Sequence, residues 1–237
     1  MFFSSPICLF HFDMTYVLFV FLPAIILSLL ATWHTKSTFK RYAKVQGSKG
    51  YTGAQAAHEM LQRNGVHDCT IEMTQGFLSD HYDPRCKTLR LSPEVYNGRS
   101  LSSIGVACHE AGHALQHAQA YKFLSMRSAI CPIVGIGNMV GEFALFIGLF
   151  MNIKGFLLIG IIALAIMFLF TFITLPVEWD ASARAKKAML HAQLLKPQEV
   201  DGAGRVLNAA FLTYLASAIS ALMTLLYYVM RYTNSRD

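Results

Sequence analysis

Four apolar stretches decide most of what this chain can become: Met14 to Trp33, Ile130 to Met151, Phe156 to Val177 and Phe211 to Met230. Each holds about 20 residues, enough for a helix to cross roughly 30 Å of hydrocarbon. The first contains Pro23, and the second is apolar apart from Asn138 and Glu142. Composition agrees: only 14% of residues are charged and mean hydropathy is +0.40, where a soluble domain carries about a quarter charged residues. The first stretch lacks a basic leader and is long for a signal peptide. No small-x-small cleavage site follows it, so it reads as a retained anchor.

Basic residues give these stretches a direction. Twelve of the twenty Lys and Arg lie in 35–129 and five more (Arg184, Lys186, Lys187, Lys196, Arg205) in 178–210. The positive-inside tendency makes that side cytoplasmic, in a multi-pass protein of the cell's inner (cytoplasmic) membrane. The net charge of +6 therefore follows the bilayer, and no compact basic patch with interleaved aromatics points to nucleic acid. The five cysteines are odd in number and form no C-x-x-C pair. Cys69, Cys86 and Cys108 fall in the cytoplasmic part, where thiols stay reduced, and Cys8 and Cys131 outside it.

The chain then divides into an N-terminal membrane anchor (1–35), a cytoplasmic catalytic region (36–129), a transmembrane hairpin (130–177), a cytoplasmic helical segment (178–210) and a last transmembrane helix with its tail (211–237). The expected fold is mainly α, a polytopic membrane protein of about four transmembrane helices with a small cytoplasmic α+β region. Within that region Lys36, Lys40, Arg41 and Lys44 form a collar suited to anionic headgroups. Thr52-x-x-Gln55 predicts a capping box opening a helix from Gly53 to Arg63, stopped at Asn64-Gly65. Short strands are expected at Thr70 to Met73 and Lys87 to Leu91, with turn chemistry at Asp80-His81-Tyr82-Asp83-Pro84.

The chemistry sits just before the second stretch, in Cys108-His109-Glu110-Ala111-Gly112-His113-Ala114, an H-E-x-x-H pattern. Helix positions four apart lie on one face, so His109 and His113 can offer two imidazoles to one metal ion. Glu110 falls on the adjacent flank, within reach of a water on that metal. A helix is favoured by Ser102 or Ser103 as a cap and by an apolar stripe through Leu101, Ile104, Ala107, Ala111, Ala114 and Leu115. Two incidental histidines on a helix are the bland alternative.

Read together, HEAGHALQHAQAY, the upstream LSDHYDPRCKTLRLS and the downstream LPVEWDASARA resemble the YugP-like membrane zinc metallopeptidases, a group placed near the gluzincins. The likeness runs from about Tyr51 to Tyr228. It implies a gluzincin-like catalytic region and an endopeptidase with one Zn2+ per chain, acting on peptides or membrane proteins. In such enzymes zinc acidifies its water, and Glu110 would accept the proton and return it to the leaving amine. A non-catalytic zinc-binding scaffold, or a partner of another protease, is the alternative from a different class.

A catalytic zinc takes three protein ligands and keeps one open position. Metzincin spacing would need Gly at 116 and His at 119, and both are Gln. His117 lies eight residues from His109, about 12 Å along a helix, so it reads as a residue behind the ligands or on the surface. The gluzincin solution is a Glu on a later helix, and Glu178 returns to the right side of the membrane; its alternative is a preference for the positive start of a helix. Membrane gluzincins often place an Asp four residues later, where this chain has Ser182. Asp180 either pairs with Arg184 or helps orient the ligands. Asp201 either caps the helix entering the last span or mimics the Asp-Gly ligand of intramembrane proteases.

Glu142 is expected as a protonated, hydrogen-bonded acid in a span packed through Gly135, Gly137 and Gly141. His81 and Asp83 either approach the metal or serve the turn, and Tyr82 or His191 is a candidate oxyanion donor. Thr88, Leu89, Arg90 and Leu91 are the expected substrate edge strand.

Overall fold

The computed structural model describes residues 13–76 and 79–234, so Cys8, Leu78 and Arg236 lie outside the described residues. In hydrocarbon a backbone must satisfy its own N–H and C=O groups, and a helix does so within one segment. Each apolar stretch accordingly lies in a long helix: α1 (Met14–Ala43), with a π-helical stretch at Val17–Phe21 just before Pro23, α5 (Lys122–Phe150), α6 (Lys154–His191) and α7 (Pro197–Asn234). All four are long and apolar enough to cross a membrane. They outrun the apolar stretches, so the expected boundaries at 36, 130, 178 and 211 each fall inside a continuous helix. Hydrophobicity marks where a helix meets lipid, and backbone hydrogen bonding carries it further.

Between the first two long helices lie α2 (Gly53–Arg63), β1 (Thr70–Met73), β2 (His81–Asp83), β3 (Thr88–Leu91), α3 (Pro93–Asn97) and α4 (Leu101–Ala118). The capping box at α2 forms as expected: Gln55 N–H donates to Thr52 Oγ1 at 3.2 Å and Thr52 N–H to Gln55 Oε1 at 3.0 Å. The cap of α4 is Ser100, one position earlier than either expected serine, with Ser103 N–H donating to its Oγ at 3.1 Å. Ser102 is already inside the first turn, and its buried hydroxyl donates to the Phe39 carbonyl at 2.8 Å, tying α4 to α1.

The three strands run in the order β1-β3-β2, with β1 parallel to β3 (Thr70 opposite Thr88) and β2 antiparallel to it (Tyr82 opposite Leu89). Two sequence expectations are corrected here. His81–Asp83, expected as turn, pairs as a strand, and the tight turn moves to the residues between β2 and β3. Thr88, Leu89, Arg90 and Leu91, expected as the open substrate edge, form the middle strand with both sides occupied. The reason is burial: Thr88, Leu89 and Leu91 are all buried, on a strand flanked along both edges.

The core is built around α4. Ile104, Ala107, Cys108 and Ala111 are fully buried, against Met60 and Leu61 of α2, Leu89 and Leu91 of β3, Met189 of α6 and Ala203 of α7. Burial pushes the Cys108 thiol up to about 12, so it behaves as a small apolar side chain. Large side chains such as Phe19, Leu29, Ile136, Phe143 and Phe146 instead stand exposed along the long helices, as lipid-facing positions do. At one end Asp13 caps the start of α1 and also accepts from Arg231 of α7 at 2.8 Å and from Tyr227.

The α5–α6 hairpin closes through glycine. A Cβ on Gly141 would meet that of Ala163 at 2.4 Å, and one on Gly148 would meet the Leu157 nitrogen at 2.5 Å. Of the three glycines expected to pack, only Gly141 does, since Gly135 and Gly137 have nothing within 4 Å. Glu142 is exposed and has no hydrogen bond among the described residues, which corrects the expected hydrogen-bonded acid. One residue is about 100° of helix rotation, which puts Gly141 against α6 and swings Glu142 off that contact. Gly148→Leu should therefore destabilise the hairpin by about 1–3 kcal/mol or more, read as a lower melting temperature in detergent. Gly155→Ala, with open space around it, should leave the melt unchanged.

Candidate metal centre

The site begins with the helical register of α4. His109 and His113, one turn apart, place their rings edge to face with centroids 4.9 Å apart and planes at 80°. The third group comes from α6, and Gly112 is the reason it can. A Cβ at Gly112 would lie 2.6 Å from the Ala181 carbonyl oxygen and 3.2 Å from its Cα. Glycine alone lets the two backbones touch, and Glu178 sits about one turn before that contact. His109 Nε2 is 3.1 Å from Glu178 Oε2, and His113 Nε2 is 3.6 Å from the same oxygen.

The ligand atoms of His109, His113 and Glu178 all lie within 4.8 Å of one another. Ligands bonded at 2.0–2.1 Å to a tetrahedral zinc stand roughly 3.3 Å apart, so this donor set fits Zn2+. Two imidazoles and one carboxylate also leave the fourth position open, as catalytic zinc requires. No other group of three such ligands occurs among the described residues.

Each ligand is held from behind. His109 Nδ1 shares a 3.1 Å hydrogen bond with Ser182 Oγ, and His113 Nδ1–H donates to Gln116 Oε1 at 3.0 Å. The bond to Gln116, whose oxygen can only accept, places the His113 proton on Nδ1 and frees Nε2 for a metal. Gln116 is fully buried and spends its amide on the Val177 carbonyl and on Asp180 Oδ2, both at 2.8 Å. Asp180 also accepts from Arg184, so it forms the expected ion pair and touches Gln116 as well. Glu178 is 2% exposed, and Arg127 of α5 donates to its Oε1 at 3.1 Å. Tyr214 of α7 faces the same carboxylate.

Glu110 keeps partial exposure beside the histidines. Burial above all raises its carboxyl, with the charges of Glu178 and Asp80 adding to this and those of His109 and His113 opposing it. Burial pulls the His113 ring down, but its hydrogen bond to Glu178 and that carboxylate's charge more than reverse the effect. Asp80 is fixed by Ser92, whose N–H donates to Oδ1 at 2.7 Å.

Other expected residues lie elsewhere. His117 shares a 2.8 Å hydrogen bond with the Tyr82 hydroxyl, which fastens α4 to β2 and uses both groups away from the ligand cluster. His81 Nδ1–H donates to the Ser79 carbonyl, and Asp83 binds Arg85 and Arg90. Asp201 is exposed inside the first turns of α7 and is neither cap nor ligand, because the helix starts at Pro197 and Glu199 accepts the Lys196 N–H. His191 ends α6, about 20 Å along the helix from Glu178. The helix-start explanation of Glu178 also falls, since α6 runs unbroken through Pro176. Gln116, Arg127 and Tyr214 went unnoticed in the sequence. Only Gln116 left a signal there, as the residue one turn beyond His113.

A family model described as "Putative neutral zinc metallopeptidase" matches residues 17–233. The "Putative membrane protease YugP" of Bacillus subtilis (strain 168) is 42% identical over 223 residues, covering 93% of this chain and 99% of that protein. No solved structure matches.

If contact at Gly112 sets the distance between α4 and α6, then Gly112→Ala should drive them apart with every ligand intact. Metal analysis of the purified variant should show clearly less than one zinc per chain. Stoichiometric zinc there would remove this contact from the account of the site.

Proposed function

The chain belongs to the "Putative neutral zinc metallopeptidase" family, and we propose that it is a membrane-anchored endopeptidase that hydrolyses peptide bonds with one Zn2+ per chain. The observation that carries this reading is the convergence of His109, His113 and Glu178 with Glu110 beside them and outside the ligand set. A binding role has no use for Glu110 at that place.

His109, His113 and Glu178 would hold the Zn2+, which would supply Lewis-acid chemistry to polarise the scissile carbonyl and activate water. Glu110 takes the proton of the attacking water and hands it to the leaving amine. Gln116 keeps the His113 imidazole in the Nδ1–H tautomer, and Ser182 holds the His109 ring at its Nδ1. Arg127 holds one oxygen of Glu178 and leaves the other toward the histidines. With β3 covered, β2 is the sheet edge tied to α4 through Tyr82, and an extended substrate pairs along it.

The membrane is the cytoplasmic one, with 36–129 and the 178–210 segment on its cytoplasmic side. That orientation rests on the distribution of Lys and Arg. Its substrates are peptides or membrane-protein segments close to the bilayer, since Glu178 follows directly on the apolar part of α6.

Glu110→Gln should keep one zinc per chain yet lose casein or peptide cleavage by about 10²-fold or more, whereas Glu178→Ala should lose zinc and activity together. Unimpaired turnover in Glu110→Gln would return that residue to a structural role. For orientation, single cysteines replace the exposed Lys49, Lys196 and Met151 in a background without native cysteines. An impermeant thiol reagent outside intact cells should reach position 151 and miss 49 and 196. The reverse pattern would invert the topology.

A further inference from the structure

Glu142 has an unusual place for an ionisable residue. It lies near the middle of the apolar part of α5, is exposed, and has no hydrogen-bond or ion-pair partner among the described residues. Acidic side chains at such depth almost always face a bundle interior, a wet cavity or a partner group. The described residues supply none of these. α5 meets α6 through Gly141 against Ala163, Leu145 against Gly160 and Gly148 against Leu157, and Glu142 stands on the flank beside that contact.

Its neighbours on that flank differ from the Ile, Met and Phe that face outward elsewhere on the helix. Cys131, Gly135, Asn138 and Glu142 follow one another at intervals of four, three and four residues, the spacing of a seam between two helices. A Cβ at Gly135 would meet nothing within 4 Å, which leaves room for a second backbone to come close. Asn138 offers an amide donor one turn from the Glu142 acceptor.

We propose that this face of α5 binds a second copy of the chain, its two α5 helices running parallel about a two-fold axis along the membrane normal. In that arrangement Asn138 of each copy donates to Glu142 of the other, so the seam is complementary to itself. A substrate helix would need its own donor at the matching depth, whereas a second copy always carries one. The proposal does not depend on zinc or on peptidase activity.

The test uses the full chain with Cys131 as its one cysteine, in native membranes for cross-linking with a bis-maleimide and in nanodiscs for counting copies. Two copies per particle and a Cys131–Cys131 product are expected. Glu142→Leu should weaken self-association at least tenfold, whereas Glu142→Gln, whose amide oxygen still accepts from Asn138, should keep it. An unchanged melting temperature in detergent reports that each variant has folded. Single copies of the parent protein, cross-linking of Cys131 only to other proteins, or undiminished pairing of a folded Glu142→Leu would each overturn the proposal.

Discussion

The contact between Gly112 and the Ala181 backbone is the constraint on which the candidate site depends. Two helices with ordinary side chains between them pack with axes about 8–10 Å apart. A carboxylate reaching across that gap would meet the imidazoles only with its chain fully extended. Here the missing Cβ lets α6 lie against α4, and one oxygen of Glu178 stands between two ring nitrogens at 3.1 and 3.6 Å. The same approach brings Ser182 to the back of His109 and Val177 and Asp180 to Gln116. One glycine thus sets ligands and supports together, because they occupy successive turns of the same pair of helices.

A second consequence concerns where the membrane ends. α6 crosses the apolar part of the chain and continues through Pro176 to His191 without a break. Glu178 therefore borrows the rigidity of a transmembrane helix, and Arg127 reaches it from the opening turns of α5. The site is a junction of one amphipathic helix with helices that also meet lipid. A buried carboxylate this close to hydrocarbon would be costly alone, and its cost is offset by the Arg127 guanidinium, which donates to one oxygen, and by the polar imidazoles beside the other.

Much of this was legible in one dimension. Long apolar runs imply helices whatever surrounds them, since the rule operates within each segment. H-E-x-x-H on a helix places two imidazoles together by periodicity alone, and the capping box at Thr52 is a contact between residues three apart. Glu178 was reachable from the order of spans. The readings that failed required knowledge of what lies beside a segment. Thr88 to Leu91 alternates as an edge strand would, yet β1 and β2 flank it. The glycines near Glu142 look alike in sequence, but only Gly141 meets another helix. Asp201 has a cap's chemistry without a helix start to cap.

The sequence by itself thus determined the long apolar helices, the pairing of His109 with His113 on one helix face and the adjacent Glu110, because periodicity and hydrophobicity act over a few residues along one chain. Tertiary structure alone decided that Gln116 and Ser182 orient those rings, that Arg127 and Tyr214 attend Glu178, and that Glu142 faces outward. These groups meet across separations of up to 73 residues or turn on which side of a helix is covered. Such contacts depend on how closely two backbones approach, and no local pattern of residue types encodes that distance.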